Sequence, residues 1–73
     1  MGVTFKKLFK LLIDRNMKKK DLQQAAGISP ASVAKLAKDE YVSLEVLVKI
    51  CAALHVDIGD IMEITEKNAS DKH

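Results

Sequence analysis

A chain of 73 residues makes one small domain with a modest core, and 48% hydrophobic against 30% charged residues marks it as globular. No apolar run approaches the roughly 20 residues of a membrane span, the start MGVTFKK lacks the apolar core of a secretory signal, and the lone Cys51 excludes an internal disulfide, so a reducing, cytoplasmic setting is expected. The net charge of +2 is unevenly laid: residues 1–38 hold nine Lys or Arg against Asp14 and Asp21 (+7), residues 39–73 three Lys against eight acids (−5), which points the first half at a polyanion.

In TFKKLFKLLIDR, Phe5, Leu8, Phe9, Leu12 and Ile13 recur at helical spacing and predict a first helix with one apolar stripe, Lys6, Lys7 and Lys10 falling on the other side. Asn16 tolerates the left-handed conformation that ends a helix, and Met17 then turns inward. A short second helix is expected over Lys18 to Ala25, packing through Leu22 and its alanines. Gly27 supplies a turn at positive φ. Ser29 as N-cap and Pro30 at the first helical position open a third helix that runs to about Lys38 and buries Val33 and Leu36.

Ser43 caps a fourth helix, with Glu45 in its first turn and Leu47, Ile50, Cys51 and Leu54 as its buried stripe; His55 closes it. Asp57 is expected to cap a short fifth helix carrying Ile58, Ile61 and Met62. No segment alternates as a strand should, so the fold expected is all-α with five helices over residues 1–64, followed by a polar, disordered tail over residues 65–73, TEKNASDKH.

The stretch NMKKKDLQQ sets Lys18, Lys19 and Lys20 in a row where the second helix starts. A helix N-terminus carries partial positive charge and disfavours cations. Either the run is an indifferent solvated surface or an anion belongs there.

Catalysis is not expected. General acid or base work needs titratable groups brought together, and the histidines are His55 at a helix end and His73 at the terminus. Cys51 has no His, Cys or carboxylate at ligand spacing, so it reads as core; no metal and no cofactor are expected.

Helix, glycine turn and proline-started helix outline a helix-turn-helix. KDLQQAAGISPASVAKL, Lys20 to Leu36, resembles the phage-repressor (Cro, or xenobiotic-response-element) family of bacterial DNA-binding domains, with Leu22, Gly27, Ile28, Val33 and Leu36 at the family's buried and turn positions. The likeness covers about Phe5 to Met62, including VSLEVLVKICAALHV and DIGDIM, and the chain looks like a compact stand-alone member of lambda-repressor-like fold. It departs from the pattern at Gln23, where the family has a small residue, at Lys18, where it has a Ser or Thr cap, and at Asp39 and Glu40, where many members have Gly and a basic residue.

The resemblance implies a sequence-specific transcriptional regulator of double-stranded DNA, most often a repressor, with its third helix in the major groove. It makes Lys19 the principal phosphate ligand, Lys18 and Lys20 its electrostatic support, and Ser29 a further phosphate contact. At 100° per residue Ala31, Ala34, Lys35 and Lys38 share the solvent face of the third helix, with Ser32 at its edge. The alanines can touch thymine methyls and Lys35 can donate to guanine; plain helix propensity also accounts for the alanines. The family adds Pro30, Ala31 and Ser32 at the groove-facing end.

The family's usual two-fold symmetry implies a weak or DNA-induced homodimer. Apolar residues for its interface are Tyr41, Val42, Ile58, Ile61, Met62 and Ile64, although Ile58, Ile61 and Met62 equally serve to close the core against the first helix. With no appended ligand domain in view, no small-molecule signal is expected. The alternative is a repressor-like module that binds a protein partner, such as a toxin or antirepressor, for which Gln23 and the acidic loop count, while the lysine run and the charge polarity count against it.

Overall fold

The structure, a computed structural model, describes residues 2–65. Strand β1 (Gly2–Thr4) leads into helices α1 (Lys6–Asp14), α2 (Lys19–Ala26), α3 (Pro30–Ala37) and α4 (Leu44–Leu54), then a 3-10 turn (Ile58–Asp60) and strand β2 (Glu63–Thr65). Phe5, Leu8, Leu12, Leu22, Leu36, Ile50, Leu54 and Ile61 form the fully buried centre, and α2 packs on both α3 and α4. The core is wholly apolar, since no polar or charged residue among those described is buried.

Each helix stops on one residue in the left-handed region: Asn16 (φ 60°), Gly27 (φ 67°), Asp39 (φ 57°) and His55 (φ 58°). After α1, Asn16 N–H donates to Ile13 C=O at 3.0 Å and Met17 N–H to Leu12 C=O at 2.8 Å. After α3, Asp39 N–H donates to Leu36 C=O at 3.1 Å and Glu40 N–H to Lys35 C=O at 2.9 Å. Both are the paired bonds of a Schellman ending, which satisfy carbonyls the helix leaves orphaned. Ile28 N–H on Gln23 C=O and Val56 N–H on Cys51 C=O close α2 and α4 in the same sense.

Polar contacts of long range then lock the helices together. Phe5 N–H, at the start of α1, donates to Oδ1 of Asp39 at 2.8 Å. The Arg15 guanidinium donates to Leu54 C=O at 2.7 Å, placing a cation on the negative end of α4. Lys7 donates to Gly59 C=O at 3.2 Å and lies 3.5 Å from the Glu63 carboxylate.

Two expectations are corrected. The described residues hold four α-helices where five were expected, and the fold is not all-α, because β1 and β2 pair antiparallel with Gly2 opposite Thr65, Val3 opposite Ile64 and Thr4 opposite Glu63. The expected fifth helix is one 3-10 turn, with Asp57 N–H held by Oδ2 of Asp60 at 3.0 Å. After α4 the chain must bury Ile61 completely and return at once to β1, so one turn is all the segment can accommodate, and Met62 passes into the ladder approach. Ile13, expected in the buried stripe, is 75% exposed, because α1 buries only the Phe5, Leu8 and Leu12 side. Of the alanines in α2, Ala26 packs inward and Ala25 is exposed. Thr65 is the last strand residue, and the rest of the expected tail, residues 66–73, lies outside the described residues.

Gly27 and Asp39 give separable tests. No atom lies within 4 Å of where a Cβ on Gly27 would sit, so Gly27→Val pays for backbone conformation alone, about 1–3 kcal/mol, and Gly27→Asn less. Asp39→Ala loses the acceptor for Phe5 N–H without relieving the left-handed backbone, whereas Asp39→Asn keeps an acceptor there; the first should be less stable by about 1 kcal/mol or more and the second stay near the parent. Equal melting of the two Asp39 variants in thermal scans would show that the carboxylate does not hold α1.

Candidate nucleic-acid interface

The α2–turn–α3 unit is built from local rules. Lys18 stands at the N-cap of α2 with extended backbone, and its side chain cannot accept an N–H. Asp21, three residues on, makes the other half of a capping box: its Oδ2 takes the N-cap's own N–H, that of Lys18, at 2.9 Å, and its charge offsets the lysines around it. The Lys19 ammonium lies 5.6 Å from the centroid of the Phe9 ring, within cation–π range. Lys18, Lys19 and Lys20 are all exposed.

In α3 the buried Val33 and Leu36 fix the helix, leaving Pro30, Ala31, Ala34, Lys35 and the capping Lys38 exposed and Ser32 half-buried. Ser29 Oγ accepts Ser32 N–H at 3.2 Å and lies 3.1 Å from Ser32 Oγ, so both hydroxyls are engaged in starting the helix. A groove of about 440 Å³, floored by Phe9 and Met17 and rimmed by Lys18, Lys19 and Ala37, sets the start of α2 beside the end of α3. Lys18 and Lys19 thus share a groove with Ala37, whereas Lys20 and the outward Ala31, Ala34 and Lys35 are not among its lining residues.

The three departures from the family pattern find physical accounts. Gln23 is half-buried, and its C=O accepts Gly27 N–H at 3.0 Å and Ile28 N–H at 3.2 Å, so the turn closes despite the larger side chain. At the start of α2, Asp21 holds the Lys18 N–H, the half of a capping box that needs no acceptor on the Lys18 side chain. Asp39 takes the left-handed conformation expected of Gly and turns its carboxylate to Phe5. The basic half is less free than its count implies, since Lys7 and Arg15 spend their charge on Gly59, Glu63 and Leu54.

Outside this face little is set up for chemistry. Burial first, then the charges of Asp57 and Asp60, push the Cys51 thiol up, the opposite of nucleophile activation. No group of three His, Cys, Asp or Glu among the described residues could hold a metal. Among the interface candidates, Tyr41, Ile58 and Ile64 are exposed, Val42 and Met62 are half-buried, and Ile61 is wholly buried and unavailable, because it closes the core. Two exposed apolar residues escaped the sequence reading: Leu44 at 66% and Val48 at 58%. Their i, i+4 spacing, off the Leu47–Ile50–Leu54 stripe, was the signal.

Residues 7–67 match the family profile for a Cro/C1-type HTH DNA-binding domain. The chain is similar to a crystal structure of the transcriptional regulator VanUg, form II, at 53% identity with a TM-score of 0.84, covering 88% of this chain and 85% of that one. Comparison with curated proteins gave no match.

Because Asp21 both caps α2 and offsets the lysines, Asp21→Ala should cost about 1 kcal/mol in urea unfolding, and the loss should shrink as salt screens the lysine repulsion. Asp21→Asn, which keeps an acceptor but no charge, should fall between. A loss independent of salt would limit Asp21 to its hydrogen bond.

Proposed function

The chain belongs to the Cro/C1-type helix-turn-helix family of DNA-binding transcriptional regulators, and on that premise we propose that it represses transcription by occupying a promoter, with α3 in the major groove. The observation that carries this reading is the outward face of α3, where Pro30, Ala31, Ala34, Lys35 and Lys38 are exposed, together with three exposed lysines at the start of α2, of which Lys18 and Lys19 share a groove with Ala37 at the end of α3. Ala31 and Ala34 permit close approach to base edges, Lys35 donates to guanine O6 and N7, and Pro30, Ser32 and Lys38 line the same edge. Lys19 leaves Phe9 for a phosphate, which the N–H groups and dipole of α2 also favour, with Lys18 and Lys20 in support.

Ser29 contributes a phosphate contact only through the hydroxyl capacity its capping role leaves over. The protein works without a cofactor, a small-molecule ligand or catalysis, in the cytoplasm, and two copies bind half-sites about one helical turn apart, since one reading helix covers too few base pairs to select a site. The protein-partner alternative loses part of its support, because one of the two loop acids, Asp39, is explained by the bond from Phe5 N–H.

The test uses a duplex selected from a random DNA pool, over a salt series. Lys19→Ala should weaken binding to all sequences and lower the magnitude of the salt slope by about 1. Lys35→Ala should cost about 1–3 kcal/mol on the selected duplex and relax preference at one base position. Equal losses on selected and random DNA would remove Lys35 from base reading, and no salt-dependent binding by the parent would overturn the DNA reading itself.

A further inference from the structure

The groove beside the start of α2 has a composition that phosphate binding leaves unused. Phe9, Leu12 and Met17 form its floor, and Ile13 stands on its wall, 75% exposed. A large aliphatic side chain held in water at the edge of an apolar depression marks a contact surface. A DNA backbone offers phosphates to Lys18 and Lys19 and nothing that fills such a floor.

The charge around this strip is of one sign. Lys18 and Lys19 rim it on the α2 side. Lys10 and Lys6 precede Ile13 by three and seven positions, which sets them beside it on the exposed face of α1, along the other edge of the strip. No acid lines the groove, whereas Asp60 lines both the depression beside Val48 and the one beside Leu11. The acids close by in sequence are turned elsewhere: Asp14 lines the depression beside Leu11, and Asp21 takes the Lys18 N–H.

An apolar strip between two positive edges is complementary to one kind of surface. We propose that the groove receives an acidic, amphipathic helix of a partner protein, and that this helix and the DNA backbone exclude one another at Lys18 and Lys19. Its apolar stripe lies on Phe9, Ile13 and Met17, and its Asp and Glu side chains meet the lysines on either edge. A helix suits the groove better than an extended peptide, because α1, α2 and α3 line it and offer no strand edge to pair with, while a helix arrives with its own backbone bonds made. Since α1 is nine residues long, the contact spans about two turns of the partner helix, with anchors spaced i, i+3 or i+4, and i+7. The exclusion rests on the DNA reading above; the docking rests on the groove alone. Partner binding thereby takes the regulator off its promoter.

Selection from a pool of helical peptides of random sequence, against the whole chain, supplies the probe. The enriched peptides should carry an apolar stripe with Asp or Glu along both edges; no enrichment, or enrichment of basic or uncharged edges, would overturn the proposal. Ile13→Gln changes an exposed position outside the DNA-contacting residues and leaves the core untouched. By fluorescence anisotropy it should weaken an enriched acidic peptide by about tenfold or more and leave affinity for the selected duplex unchanged, whereas Lys19→Ala should weaken both. Unchanged peptide affinity in Ile13→Gln would overturn the docking, and equal losses of peptide and duplex would give the groove to DNA. The peptide should displace the duplex competitively, and a complex holding both would overturn the exclusion. Ile13-dependent peptide binding by a parent that shows no salt-dependent DNA binding would overturn the DNA reading, and the exclusion with it, while upholding the docking.

Discussion

A bundle of helices only eight to eleven residues long closes a core only if every helix stops on time, and in this chain each stop is a single left-handed residue. Asn16, Gly27, Asp39 and His55 reverse the chain within two residues and turn the next segment inward, which is why Met17, Ile28 and Val56 reach the core or its margin immediately afterwards. Only one of the four is glycine. The other three carry a strain that their surroundings offset, and Asp39 does more than tolerate it, since the same residue that ends α3 holds the first N–H of α1.

From those stops follows the placement of the basic groups. The turn at Gly27 sets α3 so that Val33 and Leu36 face the core and the small side chains face outward, and the ending at Asn16 brings the lysine run beside the far end of α3. The run is unfavourable at a helix N-terminus, yet the fold tolerates it through two local devices, the Asp21 carboxylate and the Phe9 ring. A cluster tolerated this way stands exposed on the free protein without a bound anion to offset it.

The charge polarity of the chain has a second use. Arg15 on the end of α4 and Lys7 on Gly59 and Glu63 draw the basic half onto the acidic half, so part of the excess in residues 1–38 stabilises the fold. On α4, Leu44, Val48 and Ala52 are exposed and leave one ridge without polar side chains.

The amino-acid sequence by itself determined the four α-helices, their caps at Ser29 and Ser43, their left-handed endings at Asn16, Gly27 and His55, and the outward residues of α3, because each of these depends on side chains a few positions apart. The tertiary structure alone decided what depends on distant partners. The ladder pairs Val3 with Ile64, whose β-branched side chains gave no strand signal in segments only three residues long, and the same return to β1 cut the fifth helix to one turn around Ile61. Asp39 read as a departure in a loop until the fold brought Phe5 N–H to it, 34 residues away in sequence. Whether Ile13 is inside or outside was likewise invisible locally: apolar character states a preference for burial, and which faces are covered is set by the elements available to cover them.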